Sequence, residues 1–190
     1  HEISYYPGFV NLLLADVVVV NKVDSASKEQ TKIVKGNIDK YNPKADVILA
    51  RSDYTADKPE LIRNKKVLVV GDGPTLSHGG MSFGAGTLAA KKHNGIIVDP
   101  RRYVIGSIKE TYEKYPHLSK ELPAMGYSEH QIKEMEKIIN TVPCDVVIDG
   151  TPANLRRIMN IKKPVVNVKY ELGYEAVKKL ETILKKKKFL

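Results

Sequence analysis

"ADVVVVNKVDSAS", residues 15–27, runs four valines straight into Asn-Lys-Val-Asp. A continuous β-branched run of this kind is the pattern of a strand covered on both faces, as in a parallel sheet. Beyond it, Ser27 and Gln30 have capping-box spacing, and Val34, Ile38 and Tyr41 recur at helical spacing until Pro43. The stretch therefore reads as strand, polar loop, capped helix. "DVILA" (46–50) reads as the next strand.

The same alternation continues to the end of the chain. "KVLVV" (66–70), "GIIVDP" (95–100), "DVVI" (145–148) and "PVVNVKY" (164–170) read as strands. "TLAAKKH", "SIKETYEKY" (107–115), the stripe Ile132, Met135, Ile138, Ile139 behind a Ser128–Gln131 box, and a closing segment with Leu172, Ala176, Leu180, Ile183 and Leu184 read as helices. Thr151 and Pro152 suit the cap and first position of a further helix. The expected fold class is α/β: a mostly parallel sheet with flanking helices, P-loop NTPase-like or Rossmann-like, truncated at its amino-terminal side. The polar stretch "RSDYTADKPE" (51–60) looks like a boundary. In such sheets ligands sit beyond the carboxyl ends of the strands.

Bulk properties narrow the function. The chain has 190 residues, 42% of them hydrophobic, and nothing approaches the ~20 apolar residues of a membrane span. One cysteine, Cys144, excludes an internal disulfide and fits a reducing cytoplasm, the expected compartment. It reads as a small core residue. The net charge of +9 suits phosphorylated small molecules as well as nucleic acid. Aromatics are 7% and are not interleaved with the basic residues, which weighs against a nucleic-acid binder. "KKKK" (185–188) reads as a solvated helix end. Histidine spacing gives no structural zinc site.

Asn21, Lys22 and Asp24 stand where a ligand would meet the first strand. A carboxylate can accept from guanine N1–H and its exocyclic amine together, a pairing adenine does not offer. The Asn amide can reach O6 or N7, and the Lys stem can lie on the purine face. Ser52, after the next strand, is a second base-side candidate, although serine there is also ordinary turn chemistry.

"GDGPTLSHGGMSFGAG" (71–86) holds six of the thirteen glycines and lies between a strand and a helix. It lacks the Gly-Lys-Ser/Thr of a Walker loop. Backbone N–H groups at Gly79, Gly80, Gly84 and Gly86 can converge on a phosphate. Asp72 can hold magnesium, Thr75 and Ser77 can donate hydroxyls, and His78 can donate to phosphate or carry a proton. Arg101 and Arg102, behind Asp99, suit phosphate contacts or a plain exposed surface. Asp72, His78 and Arg101 are the candidate catalytic residues.

"HEISYYPG", "ADVVVVNKVDSA", "VLVVGDGPTLSHGGMSFGAG", "VDPRRYVIGSIKETYEKYP", "LPAMGYSEHQIKEME" and "CDVVIDGTPANLRRI" together resemble the cyclic 2,3-diphosphoglycerate synthetase family and its predicted-GTPase relatives. The resemblance covers nearly the whole chain and corresponds to the carboxyl-terminal part of those proteins. Their phosphate-binding P-loop lies upstream. It implies that residues 1–62 close a P-loop NTPase-like domain carrying the base motif, and that 63–190 form a second α/β unit. It implies an intracellular enzyme that uses magnesium and ATP, or GTP as the Asn-Lys-x-Asp motif predicts, to close an intramolecular phosphoanhydride. The expected partners are the nucleotide and a small phosphorylated metabolite, with homo-oligomer formation open and no membrane. The segment alone is expected to turn over nucleotide poorly. A regulatory or metallochaperone-type GTPase is the alternative.

Overall fold

The computed structural model describes residues 2–77, 82–125 and 128–189. The chain divides into two compact units, residues 1–53 with 170–190, and residues 54–169.

In the first unit, β1 (Val17–Val20) and β2 (Asp46–Leu49) pair in parallel, Val17 opposite Asp46 and Val20 opposite Leu49. α1 (Tyr6–Leu14) precedes them, and α2 (Lys28–Tyr41) connects them. The capping box at α2 is present in full: Ser27 accepts from the Gln30 N–H, and Gln30 accepts from the Ser27 N–H. Asn42 ends the helix and donates its side-chain amide to the Leu12 and Ala15 carbonyls, tying α1 to α2. Phe9 meets Tyr41 edge to face at 5.1 Å.

α7 (Tyr174–Lys186) packs Ala176, Leu180 and Ile183 on Ile48 and Ala50. The valines of β1 are half-buried rather than sealed on both faces; among the described residues the sheet they belong to has two strands. Of the terminal lysines, Lys187 bridges Asp46 at 3.3 Å and Asp16 at 3.7 Å, so it is not simply solvated.

The second unit holds most of a six-stranded sheet of order β3-β8-β7-β4-β5, with β6 also on β4; the first two residues of β3 and the last three of β8 belong to the first unit. The strands are β3 (Ser52–Ala56), β4 (Lys66–Asp72), β5 (Ile96–Ile97), β6 (Leu122–Ala124), β7 (Val146–Gly150) and β8 (Val165–Leu172). β4 runs parallel to β5, β6 and β7, and β7 parallel to β8. Between the strands lie α3 (Gly73–Ser77), α4 (Ala85–Lys92), α5 (Gly106–Lys114) and α6 (Glu129–Thr141). The α/β class read from the alternation is therefore the architecture found.

β4 is buried from Val67 to Gly71 because both of its faces are covered. On one face Leu68 and Val70 pack with Ile108, Met135, Ile138 and Ile139. On the other Val67 and Val69 pack with Ala89 and Ala90. After β4 the chain builds β5 on one side of it, then returns to place β7 on the other. That reversal makes the carboxyl ends of β4 and β7 the topological switch point, where parallel sheets bind ligands.

No α-helix follows β7, contrary to the Thr151–Pro152 expectation. Buried Asp149 prevents it. Its Oδ1 accepts the Thr151 N–H and hydroxyl at 3.0 and 2.7 Å, and Oδ2 accepts the Leu155 N–H at 2.8 Å. The chain coils round that carboxylate, with Asn154 left-handed at φ 50°, into a single 3-10 turn at Leu155–Arg157. Among the described residues no helix is long and apolar enough to cross a membrane.

Candidate functional site

In the first unit the base motif forms a defined loop at the carboxyl ends of both strands. The Val23 N–H donates to the Ala50 carbonyl at 3.1 Å, and the Ala50 N–H to Val20 at 2.9 Å, so the two strand ends are laced together. Lys22 is left-handed at φ 61°, and its carbonyl receives the Ser25 and Ala26 N–H groups. The Asn21 side-chain oxygen accepts the Lys22 N–H at 2.8 Å, which braces the turn. The Asp24 Oδ1 accepts the Ser52 N–H at 3.2 Å. The structure thus brings Asn21, Lys22, Asp24 and Ser52 together at one end of one sheet. A parallel pair is the geometry that does this, because both strands point the same way.

In the second unit, Asp72 ends β4 and stands opposite Ala124 of β6. With Met125, Thr151, Pro152 and Ala153 it lines a crevice of ≈ 20 Å³ at the switch point. Gly86, in the first turn of α4, abuts this end of the sheet. A Cβ there would lie 2.7 Å from Val69 Cγ1 and 3.6 Å from Gly150 Cα. Gly84 is the N-cap of α4.

Arg101 lies beyond β5 and is paired with Asp99, whose carboxylate accepts the Arg101 backbone N–H at 3.0 Å and Nε–H at 2.9 Å, and also pairs with Nη2. The guanidinium's hydrogen bonds hold the Asp99 carboxyl below its ordinary range. Arg102 is exposed. His78, Gly79 and Gly80 lie outside the described residues, as does the side chain of Thr75. Ser77 turns back on its own helix and donates to the Gly73 carbonyl at 2.8 Å. Cys144 packs at the rim of the core, and burial pushes its thiol up, which suits the core role read for it.

Two carboxylates that the sequence reading passed over proved central. Glu121 reaches the start of α4, where its Oε2 accepts the Gly84 N–H at 2.8 Å and the Thr87 hydroxyl at 2.6 Å. Burial pushes its carboxyl up, against the pull of those two donors. Glu134 does the equivalent at α5, accepting the Ser107 N–H and hydroxyl at 3.1 and 2.6 Å. The one local signal for Glu121 was an acid set directly before the apolar "LPA". Among the described residues no group of three or more His, Cys, Asp or Glu side chains is placed to hold a metal ion.

Over 185 residues, 97% of its length, the chain is 55% identical to arginine synthetase ArcE of Thermococcus kodakarensis. It spans 41% of that protein's length. No family model matches the chain. The relative's name differs from that of the cyclic 2,3-diphosphoglycerate synthetase family; what the two names share is that both proteins are synthetases.

Proposed function

We propose that this chain is part of a nucleotide-dependent synthetase, with the base of the nucleotide held at Asn21, Lys22, Asp24 and Ser52. The observation that carries the reading is the Asp24–Ser52 bond. It sets the carboxylate of an Asn-Lys-x-Asp loop at the mouth of a parallel strand pair. The Asp24 carboxylate would pair with guanine N1–H and the exocyclic amine, and Asn21 would face O6 or N7. Lys22 would cover the purine face.

The reaction proposed is formation of arginine, after the relative's name, and we add that it runs at the expense of ATP or GTP. The 55% identity supports it. A second product, an intramolecular phosphoanhydride on 2,3-diphosphoglycerate, is favoured by the sequence segments that resemble that family. In either case binding and charge neutralisation do most of the work of phosphoryl chemistry. Asp72 would take magnesium. The ion would supply neutralisation of developing charge on a phosphoryl group. Arg101 and Arg102 would face substrate phosphates, Arg101 with its guanidinium already oriented by Asp99.

Calorimetric titration of GDP and ADP, each with magnesium, into the protein and its Asp24→Ala variant tests the base site. Tight GDP binding that the variant loses is expected. ADP binding indifferent to Asp24 would show that the loop does not read a base. Assays for arginine and for cyclic diphosphoglycerate, run side by side with ATP and GTP, separate the two products. Nucleotide hydrolysis with neither product formed would point to a regulatory GTPase.

A further inference from the structure

Glu121 is 1% exposed, and it is a charged side chain whose bonding is incomplete. Its Oε2 has two donors, but among the described residues Oε1 is buried with no hydrogen-bond partner. Buried carboxylates are ordinarily paired, because stranding one acceptor costs most of its hydration. Two glycines leave this carboxylate its room. A Cβ on Gly71 would lie 2.1 Å from Oε1, and one on Gly84 3.0 Å, so a side chain at Gly71 would evict the carboxylate and one at Gly84 would crowd it.

The two donors that Glu121 does engage are those a bound oxyanion would use. Gly84 is the N-cap of α4 and Thr87 lies in its first turn, at the positive end of the helix. Thr87 also lines a groove of ≈ 560 Å³ with Ser82, Ser119, Lys91, Lys120 and Phe83. Lys91 extends over the Phe83 ring at 5.2 Å, which places its charge on the groove wall. Two lysines stand on this groove beside the apolar Phe83, Ile96 and Ile97, and it reaches the first turn of α4 at Thr87. There the Thr87 hydroxyl is held by the Glu121 carboxylate.

We propose that this groove binds a phosphorylated small molecule, whose phosphoryl oxygens take over the Gly84 N–H and Thr87 hydroxyl from Glu121. Glu121 is then an internal stand-in for the phosphoryl group. It keeps the start of α4 in shape without ligand and yields it on binding, and its unpartnered oxygen makes that arrangement easy to leave. The proposal rests on the phosphate chemistry of the reading above for its ligand class and on nothing at the base site.

The test is calorimetric titration of inorganic pyrophosphate into the wild-type chain, Glu121→Gln, and the pair Lys91→Ala with Lys120→Ala. Glutamine keeps the size and an acceptor oxygen but removes the competing charge, so pyrophosphate should bind about tenfold tighter. Removing both exposed lysines should weaken it by about tenfold, and those variants keep the fold whatever Glu121 does. Unchanged or weaker binding in Glu121→Gln overturns the proposal, as does the absence of pyrophosphate binding in wild type and variants alike. Pyrophosphate has no base, so Asp24→Ala should leave its affinity unaltered. Failure of the base-site reading therefore shows separately from failure here.

Discussion

Replacing Gly106 with alanine should cost more than any glycine change on the surface, and the cost should depend on Glu134. Gly106 opens α5 at φ 52°, a left-handed conformation that a Cβ resists. That backbone term is about 1–2 kcal/mol. The new Cβ would also lie 1.6 Å from Glu134 Oε1. The carboxylate must then leave, giving up its bonds to the Ser107 N–H and hydroxyl. Two such bonds contribute about 2 kcal/mol together. The sum, about 3–4 kcal/mol, corresponds to a fall of roughly 10 °C in Tm for a chain of this size. Glu134→Ala alone removes the bonds but not the backbone term, and should cost about 2 kcal/mol. In that background Gly106→Ala no longer evicts anything and should cost only the backbone term, about 1–2 kcal/mol. Denaturant unfolding of the four proteins closes the cycle. Equal costs for Gly106→Ala in both backgrounds would refute the reasoning, because the close approach to Glu134 would then carry no energy. The result bears on function, because the loop from Asp99 to Ile105, which carries both arginines, is anchored at its far end by this helix start.

Two further outcomes follow from the same geometry. Gly86→Ala would press a Cβ to 2.7 Å from Val69 Cγ1, and overpacking of this kind should lower stability by about 1–3 kcal/mol in urea unfolding; a neutral effect would mean that α4 is not seated on the sheet as described. Glu121 has its folded pKa raised above the unfolded one, chiefly by burial, so its contribution is full at acidic pH and is lost as pH rises through the folded value. Unfolding midpoints measured from pH 4 to pH 8 should therefore favour Glu121→Gln over wild type increasingly towards neutrality, and parallel profiles would show that the carboxyl is not desolvated.

What the sequence disclosed and what it hid have one physical division. β-branched runs announce strands because the pattern is local, and β1, β2, β4, β7 and β8 all lie where such runs stand. The Asp24–Ser52 meeting was also accessible, since residues that follow two parallel strands must share an end. β3 was missed because "SDYTA" opens on two polar residues and sits in a stretch that otherwise reads as a linker. β6 was missed because "LPA" is three residues long with a proline in the middle. The helix expected at Thr151 failed because Asp149, two residues earlier, captures its N–H groups first. Glu121 was beyond reach for a different reason. Its partners Gly84 and Thr87 are 37 and 34 residues away, and no spacing rule connects an acid to a helix start at that distance.

The two long-range carboxylates also serve as a comparison inside one molecule. Each lends one oxygen to the first turn of a helix, taking one backbone N–H and one hydroxyl, and each rests against a glycine that leaves it room. A structural cap needs no more than this, and Glu134 has the finish of one: its Oε1 lies 3.6 Å from His130 Nδ1, one turn away on its own helix. Glu121 has the same first half and lacks the second, its Oε1 being buried without a partner among the described residues. Capping explains what the two share and cannot explain where they differ. The difference falls at the helix that follows the glycine-rich loop and borders the lysine-lined groove. A carboxylate left incomplete at that position is what a site with a competing anion requires, because a fully satisfied one would hold α4 too firmly to be displaced.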